Sequence, residues 1–203
     1  MGESNARGRT RWGRFLAAAA AGGLGVGVLL FGIQQGALAA NISVAGTTFK
    51  ASASKLSGTG FVQYASVDHG SEGQAHTVAV NAMRKATADD FCQTSVVDLP
   101  VVGTQTIKMT AAGKGAAQMD NFVLDLVDLN GETFTVGNLE VGVDAGQLAK
   151  GPEGAKGTPG GIGLQGDTVE VTAAKQVAWK LTAGTLRVKG LQLKVIPGKS
   201  ECF

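Results

Sequence analysis

Histidine, cysteine and aromatic side chains are scarce in this chain, and each scarcity narrows the chemistry that it can perform. Its 203 residues include two histidines and two cysteines, and aromatic residues make up 5% of the total. Only His69 and His76 could act as a base near neutral pH, so a histidine-dependent hydrolase has few ways to be built. Glycine is abundant, at 31 residues. With the many valines and threonines, this composition is typical of strands and tight turns and not of a helical bundle.

The sequence also lacks a recognisable metal or cofactor motif. The two cysteines form no C-x-x-C pair, which argues against a zinc site. Asp125, Asp128, Asn130 and Glu132 resemble a fragment of a calcium loop, but Leu126 stands where the loop needs an oxygen ligand. No glycine-rich loop follows a strand and opens a helix, as a phosphate site requires. We therefore expect neither a metal nor a cofactor.

Basic charge is concentrated at the N-terminus. Four arginines and Glu3 precede residue 15, which leaves 14 basic and 15 acidic residues in the rest of the chain. The net charge of residues 41–203 is thus close to −1, although the whole chain has a pI near 8.6. Nucleic acids bind basic surfaces, so this balance argues against a nucleic-acid partner.

A long apolar run, Phe15–Ile33, indicates a segment that enters a membrane. It follows Arg7, Arg9, Arg11 and Arg14, and no ionisable residue comes after it until Lys50. Positive charge before an apolar run holds the N-terminus in the cytoplasm. We therefore predict a signal peptide or signal-anchor helix over residues 1–40 and an exported, extracytoplasmic domain over residues 41–203.

Cleavage and retention of this segment both remain open. The run is 19 residues long, close to the ~20 that span a bilayer. However, Ala37-Leu38-Ala39 follows a polar stretch and a glycine, which is the arrangement of a signal-peptidase site. We favour cleavage after Ala39 or Ala40 over a retained anchor. In either case residues 15–33 contact the membrane, at least transiently.

Cys92 and Cys202 are predicted to form one disulfide bond. An even number of cysteines in an exported protein indicates pairing, because that compartment is oxidising. The bond would close a loop of about 110 residues, which stabilises the fold by roughly 4–5 kcal/mol in the chain-entropy model.

The pattern of apolar residues predicts a mainly β domain with an antiparallel, sandwich-like or meandering stacked sheet. Asn130-Gly131 lies between two β-rich runs and predicts a tight hairpin at the centre of the sheet. Residues 83–91 have room for one helical turn, Gly151–Gly166 is a glycine-rich loop, and Gly190 marks a bulge. The predicted strands are 61–67, 76–83, 92–97, 100–109, 121–129, 133–143, 168–173, 177–181 and 185–195.

The strongest catalytic candidate is the run Asp68-His69-Gly70-Ser71. It holds the three residue types of a serine hydrolase, but a triad is assembled across a fold and not along one loop. The nucleophile elbow G-x-S-x-G is absent, since His69 stands at its first position. We interpret this run as an exposed polar turn and keep Ser71, His69 and His76 as weak catalytic candidates.

Several stretches resemble a family of exported proteins. These stretches are Ala37–Ala40 with Asn41, Leu56–Tyr64, His76–Val80, Phe91–Gln93 and Gly190–Leu193. Through them the chain resembles an uncharacterised family of exported actinobacterial proteins, placed under a domain-of-unknown-function heading, some of whose members are labelled cholesterol esterase. The likeness covers nearly the whole chain. That label implies a sterol-ester hydrolase, but the missing serine elbow leaves no residue that can be assigned its catalytic role.

Two functions therefore remain. The first is a non-enzymatic module of the cell envelope that binds lipid-like molecules or another envelope protein, because many strands are apolar on both faces. The second is a secreted lipid or sterol-ester hydrolase. A histidine ring within hydrogen-bond reach of a serine hydroxyl in a cleft would favour the hydrolase.

Overall fold

The computed structural model describes residues 40–43, 47–69 and 73–203, the first four by their backbone alone, and this part of the chain is nearly all β-structure. Its single helical element is a 3₁₀ turn, Ala145–Gln147. Among the described residues, no helix has the length and apolar character needed to span a bilayer. The helix predicted over residues 15–33 lies outside them. The strands are β1 (Ala40–Ser43), β2 (Phe49–His69), β3 (Ala75–Asp89), β4 (Phe91–Leu99), β5 (Gly103–Ala111), β6 (Ala117–Asn130), β7 (Thr133–Gly137), β8 (Glu140–Asp144), β9 (Ile162–Ala183), β10 (Thr185–Val188) and β11 (Gln192–Pro197).

Four of these strands close the sheet into a ring. Strand β2 pairs with both β3 and β9, and β6 also pairs with both β3 and β9, always antiparallel. The remaining strands prolong these four end to end. For example, β4 follows β3 along β2, and β7 and β8 follow β6 along β9. The predicted mainly β, antiparallel fold is confirmed, with the sheet wrapped around a core.

The interior of the ring is filled by large apolar side chains and many alanines. A ring of so few strands encloses little space, so small side chains are needed wherever the strands approach each other. Phenylalanines from β2 and β6 occupy the centre, and alanines from β3, β6 and β9 surround them. The buried interior residues include Phe49, Phe61, Phe122, Leu124, Ala86, Ala88, Ala117, Ala174 and Ala178.

Part of the outer face is also buried, because the connection between β8 and β9 folds back over it. Leu148 and Ala155 from this connection pack on Val62 and Ala82. Arg84 secures the connection, since its Nε and Nη2 atoms each donate to a backbone carbonyl of the connection at 2.9 Å. This second packed layer explains why several strands are apolar on both faces. The predicted glycine-rich loop is present, but it ends at residue 161, where β9 begins.

The predicted hairpin at Asn130-Gly131 is wrong. Strands β6 and β7 do not pair with each other; both run along β9, with Asn130 opposite Lys175 and Thr133 opposite Thr172. The backbone N–H of Glu132 donates to the Thr172 carbonyl at 2.9 Å, so the ladder with β9 continues almost unbroken. Asn-Gly therefore marks a short interruption in one long strand run and not a reversal of the chain.

The helical turn predicted over residues 83–91 is also wrong. Strand β3 extends to Asp89, and Asp90 separates it from β4 with a φ of 48°. The Asp90 carboxylate stabilises this kink by accepting hydrogen bonds from Ser54 Oγ and from the backbone N–H of Gly113. The bulge predicted at Gly190 is instead a strand break. Gly190 has a φ of 64° and lies between β10, which pairs with β6, and β11, which pairs with β5.

Replacing Gly131 with Asn distinguishes the predicted hairpin from the observed ladder. A type I′ turn accepts Asn at this position. In the ladder, a Cβ atom on residue 131 would lie 2.6 Å from Val171 Cγ1 and 3.1 Å from the Thr172 carbonyl oxygen. We expect Gly131→Asn to lower the free energy of unfolding by about 1–3 kcal/mol, measured by urea denaturation. The control is Gly154→Asn, at a position with a φ of 80° and open space around it, which should unfold almost like the parent. A parent-like midpoint for Gly131→Asn would restore the hairpin.

The C-terminal segment is fixed to the sheet by a disulfide bond and by hydrogen bonds. The sulfur atoms of Cys92 and Cys202 are bonded, as predicted, and the two residues are 110 positions apart. The backbone N–H of Ser200 donates to Thr106 Oγ1, which in turn donates to the Gly198 carbonyl. These contacts explain why Thr106 is fully buried near the end of the sheet.

Removing the disulfide should destabilise the domain without changing its fold. We expect Cys202→Ser with Cys92→Ser to lower the free energy of unfolding by about 2–5 kcal/mol, because the unfolded chain regains its freedom. Calorimetry of the oxidised parent and the double variant measures the difference. Adding a reductant should lower the melting temperature of the parent to that of the variant and leave the variant unchanged. Equal melting temperatures for the oxidised parent and the variant would contradict a stabilising bond.

Candidate functional site

Of the three catalytic candidates, the structure describes only the two histidines. His69 is exposed at the end of β2, and Ser71 lies outside the described residues. His76 is half-buried in β3, where its ring stacks on Trp179 with 3.9 Å between ring centroids and 16° between planes. Within the described segments, neither histidine ring is hydrogen-bonded to a serine hydroxyl.

A pair of bulges places Trp179 against His76. In the β6–β9 ladder, Asp125 faces Lys180 and Leu126 faces Ala178, so Trp179 is an extra residue on β9. On the next step Asp128 faces Val177, and Val127 is an extra residue on β6. A bulge redirects side chains locally, which here gives Trp179 its orientation across the sheet. Sequence reasoning missed this contact because strand periodicity does not reveal a bulge at a residue other than glycine.

Asp125 is the most perturbed acid near this stack. Partial burial raises the pKa of its carboxyl group, and the negative charge of Asp68 raises it further, while Lys180 opposes both. Burial, and then the charge of Asp125, also raise the pKa of Tyr64. Perturbed carboxyl groups often mark functional sites. In this case the described residues bring no three potential metal ligands together.

The raised pKa of Asp125 has a measurable consequence for stability. The folded protein holds the proton more tightly than the unfolded chain, so this contribution is complete below pH 3.8 and is lost as the pH rises through the folded pKa. We expect Asp125→Asn to raise the melting temperature at pH 7 and to have little effect at pH 3. The control is Asp167→Asn, because hydrogen bonds from Asn138 and Lys150 lower the pKa of Asp167 and its replacement should destabilise at pH 7. An equal change in melting temperature for Asp125→Asn at pH 7 and at pH 3 would contradict a raised pKa for Asp125.

The cavities of the domain do not fit a lipid-sized ligand in the core. The apolar cavity inside the ring has a volume of about 30 Å³, room for one water molecule. Two larger grooves, of about 600 Å³ and 680 Å³, are open to solvent and have mixed polar and apolar linings. The first is lined mainly by serine and threonine side chains and the second by the β8–β9 connection, and neither is lined by a histidine.

The most apolar surface lies where the ring opens. After Ala183, strands β10 and β11 pair with β6 and β5 only, so β4, β5 and β11 form a single layer. We call residues 98–116 and 184–203 the open end. The inward face of this layer continues the inner face of the ring. Phe91 and Met109 still pack against the core there, whereas side chains farther from the ring are exposed. The exposed large apolar side chains of the open end are Leu99, Val101, Val102, Ile107, Leu191, Leu193, Val195 and Phe203.

The turn between β4 and β5 combines exposure with backbone strain. Pro100 and Val101 occupy the centre of this turn, and Val101 has a φ of 76°. Glycine or asparagine normally occupies such a position, because a β-branched side chain is strained there. The Val101 side chain contacts nothing, since its relative exposure is 105%. An apolar β-branched residue in this turn was the available sequence signal for this surface.

These features define a closed antiparallel β-domain with an open, apolar end and no assembled catalytic site among its described residues. The chain belongs to a family of unknown function, DUF6230, whose model matches residues 45–203. No curated protein and no solved structure matches it.

Proposed function

We propose that this protein is an exported, non-enzymatic module of the cell envelope that binds an apolar partner through its open end. The observation that carries the proposal is the cluster of exposed apolar side chains on β5, β11 and the β4–β5 turn. Soluble monomers rarely leave a contiguous apolar patch uncovered, so such patches mark binding surfaces.

Two further features support this location and mode of binding. The Cys92–Cys202 bond suits an oxidising compartment, as does the arginine-flanked apolar run at the N-terminus. The small volume of the internal cavity favours a surface over an enclosed pocket. An actinobacterial envelope is the setting that the resemblance suggests.

A sterol-ester hydrolase, as the cholesterol esterase label implies, is the alternative. It requires a serine activated by a histidine. His76 is stacked on Trp179, and exposed His69 has no orienting acid bonded to it among the described residues. Nothing in this geometry favours the hydrolase over binding.

Native mass spectrometry of the protein purified from its own envelope tests the proposal. We expect a co-purifying lipid or subunit on the parent and its loss from Leu99→Ser with Val102→Ser, because the apolar surface is removed. The matched control is Val141→Ser with Ile162→Ser, which changes side chains that are 70% and 79% exposed on β8 and β9 and should keep the partner. A parent without a partner, or a partner that remains on the open-end variant, would contradict the proposal.

The same preparation tests the hydrolase. We expect no turnover of short-chain or sterol esters that depends on Ser71, His69 or His76. Activity of the parent that disappears in Ser71→Ala, His69→Ala or His76→Ala, with the melting temperature unchanged, would replace binding by hydrolysis.

A further inference from the structure

The charge of the exported domain is divided between its two ends. The open end carries six basic residues against Asp98 and Glu201, whereas the rest of residues 41–203 carries eight basic residues against thirteen acidic ones. The open end is therefore positive in a domain that is otherwise negative. Its basic residues are Lys108, Lys114, Arg187, Lys189, Lys194 and Lys199.

Most of this positive charge is not neutralised within the domain. Arg187 lies 4.0 Å from Asp120, but the five lysines form no ion pair within the described residues. Of the two acids, Glu201 is paired with Lys50, and Asp98 accepts a hydrogen bond from Thr104. Lys108 and Lys194 even face each other directly across β5 and β11. Like charges in that position destabilise a sheet, so their placement suits an anionic partner.

The apolar and basic side chains are arranged along the same strands. Ile107 and Val195 face each other on one side of the layer, and Lys108 and Lys194 lie on the other side, because successive side chains in a strand alternate. The end of the layer is the uncharged turn Leu99-Pro100-Val101-Val102. The layer is thus apolar at its end and basic behind it.

The distances match the depth of a bilayer interface. Apolar segments of interfacial proteins enter the boundary between headgroups and acyl chains by roughly 5–10 Å. Lys108 is six residues from Val102, which is roughly 20 Å along a strand. With the turn inserted by roughly 5–10 Å, Lys108 lies roughly 10–15 Å above the surface, which is one Debye length or slightly more. Lys199 is nearer, because the N–H of Gly198 donates to the Thr104 carbonyl beside the turn.

We propose that the open end docks on an anionic lipid bilayer, with the turn 99–102 inserted, Lys199 at the headgroups, and Lys108 and Lys194 above them. This inference rests on the proposed function, since it names the partner of the same surface. A second copy of the chain is a poorer occupant. Pairing along the free edge of β11 would bring further lysines close to Lys194.

The other exposed apolar side chains provide the internal control. Val141 and Ile162 are at least as exposed as Val102, which is 61% exposed. Of the neighbouring acids, Glu140 is paired with Lys150 at 2.9 Å, whereas Asp144 forms no ion pair among the described residues and repels an anionic surface. Exposure of an apolar side chain is thus matched at the two places, and the sign of the surrounding charge is opposite.

The experiment measures insertion at single positions of the full chain reconstituted into vesicles. Val102→Trp and Val141→Trp each add one tryptophan, and the parent, with Trp12 and Trp179, provides the background. Quenching by brominated lipids is compared in vesicles with and without phosphatidylglycerol. We expect strong quenching at residue 102 in anionic vesicles, its loss in 1 M NaCl, and none at residue 141. Lys199→Gln should lower the ratio of docked to undocked protein about fivefold.

A second variant separates docking from stability. Val101→Gly relieves the strained backbone and removes the apolar side chain, so it should raise the melting temperature and reduce quenching at residue 102 in the double variant with Val102→Trp. Variants that lose docking because they fail to fold would instead melt earlier.

Each contrary outcome overturns the proposal in a distinct way. Absence of quenching at residue 102, or equal quenching at 102 and 141, would exclude specific docking. Shielding of residue 102 that depends on protein concentration and not on lipid would favour a second copy. If native mass spectrometry finds a partner that depends on Leu99 and Val102 while residue 102 is never quenched, the proposed function stands and the bilayer is the wrong partner.

Discussion

The ladder between β2 and β9 is the constraint on which the rest of the structure depends. Strand β9 is 22 residues long and would be an edge of an open sheet if it paired with β6 alone. Its pairing with β2, from Phe49 opposite Ala178 to Tyr64 opposite Gly163, closes the ring and removes both edges there. Closure satisfies the backbone groups of both strands and creates the narrow interior that alanines fill.

The open end follows from the same constraint. The ring persists only while β9 pairs with a strand on each side. After Ala183, β10 pairs with β6 alone and β11 pairs with β5 alone. From there the inner face continues without a facing strand, so side chains that would be core in the ring become surface. The apolar character of Leu193 and Val195 is therefore a continuation of the interior pattern into a region where no element covers it.

Sequence reasoning succeeded where a signal is local and failed where pairing is long-range. Alternation identified most strands, glycine indicated an irregularity at residue 190, and cysteine number identified the disulfide. Asn130-Gly131 misled because its preference for a turn was outweighed by the ladder with β9, more than 40 residues away. The open end was missed for a similar reason, since exposure of β11 depends on its pairing with β5 alone, although the apolar turn at Val101 was a local signal for it. Likewise, the stack of His76 on Trp179 requires a bulge that no residue type announces.

The two bulges beside Trp179 cancel each other. Before the bulges, β6 and β9 pair in one register, in which Asp125 is opposite Lys180 and each step forward on β6 is a step back on β9. After the extra residue on each strand, the same register returns with Asp128 and Val177, and it holds through β7. Loss of Trp179 or Val127 alone would shift the pairing by one residue and turn core side chains outward over the length of the ladder. Loss of both would preserve it. Length changes at this place in the family should therefore occur on both strands together, as a coupled pair in an alignment.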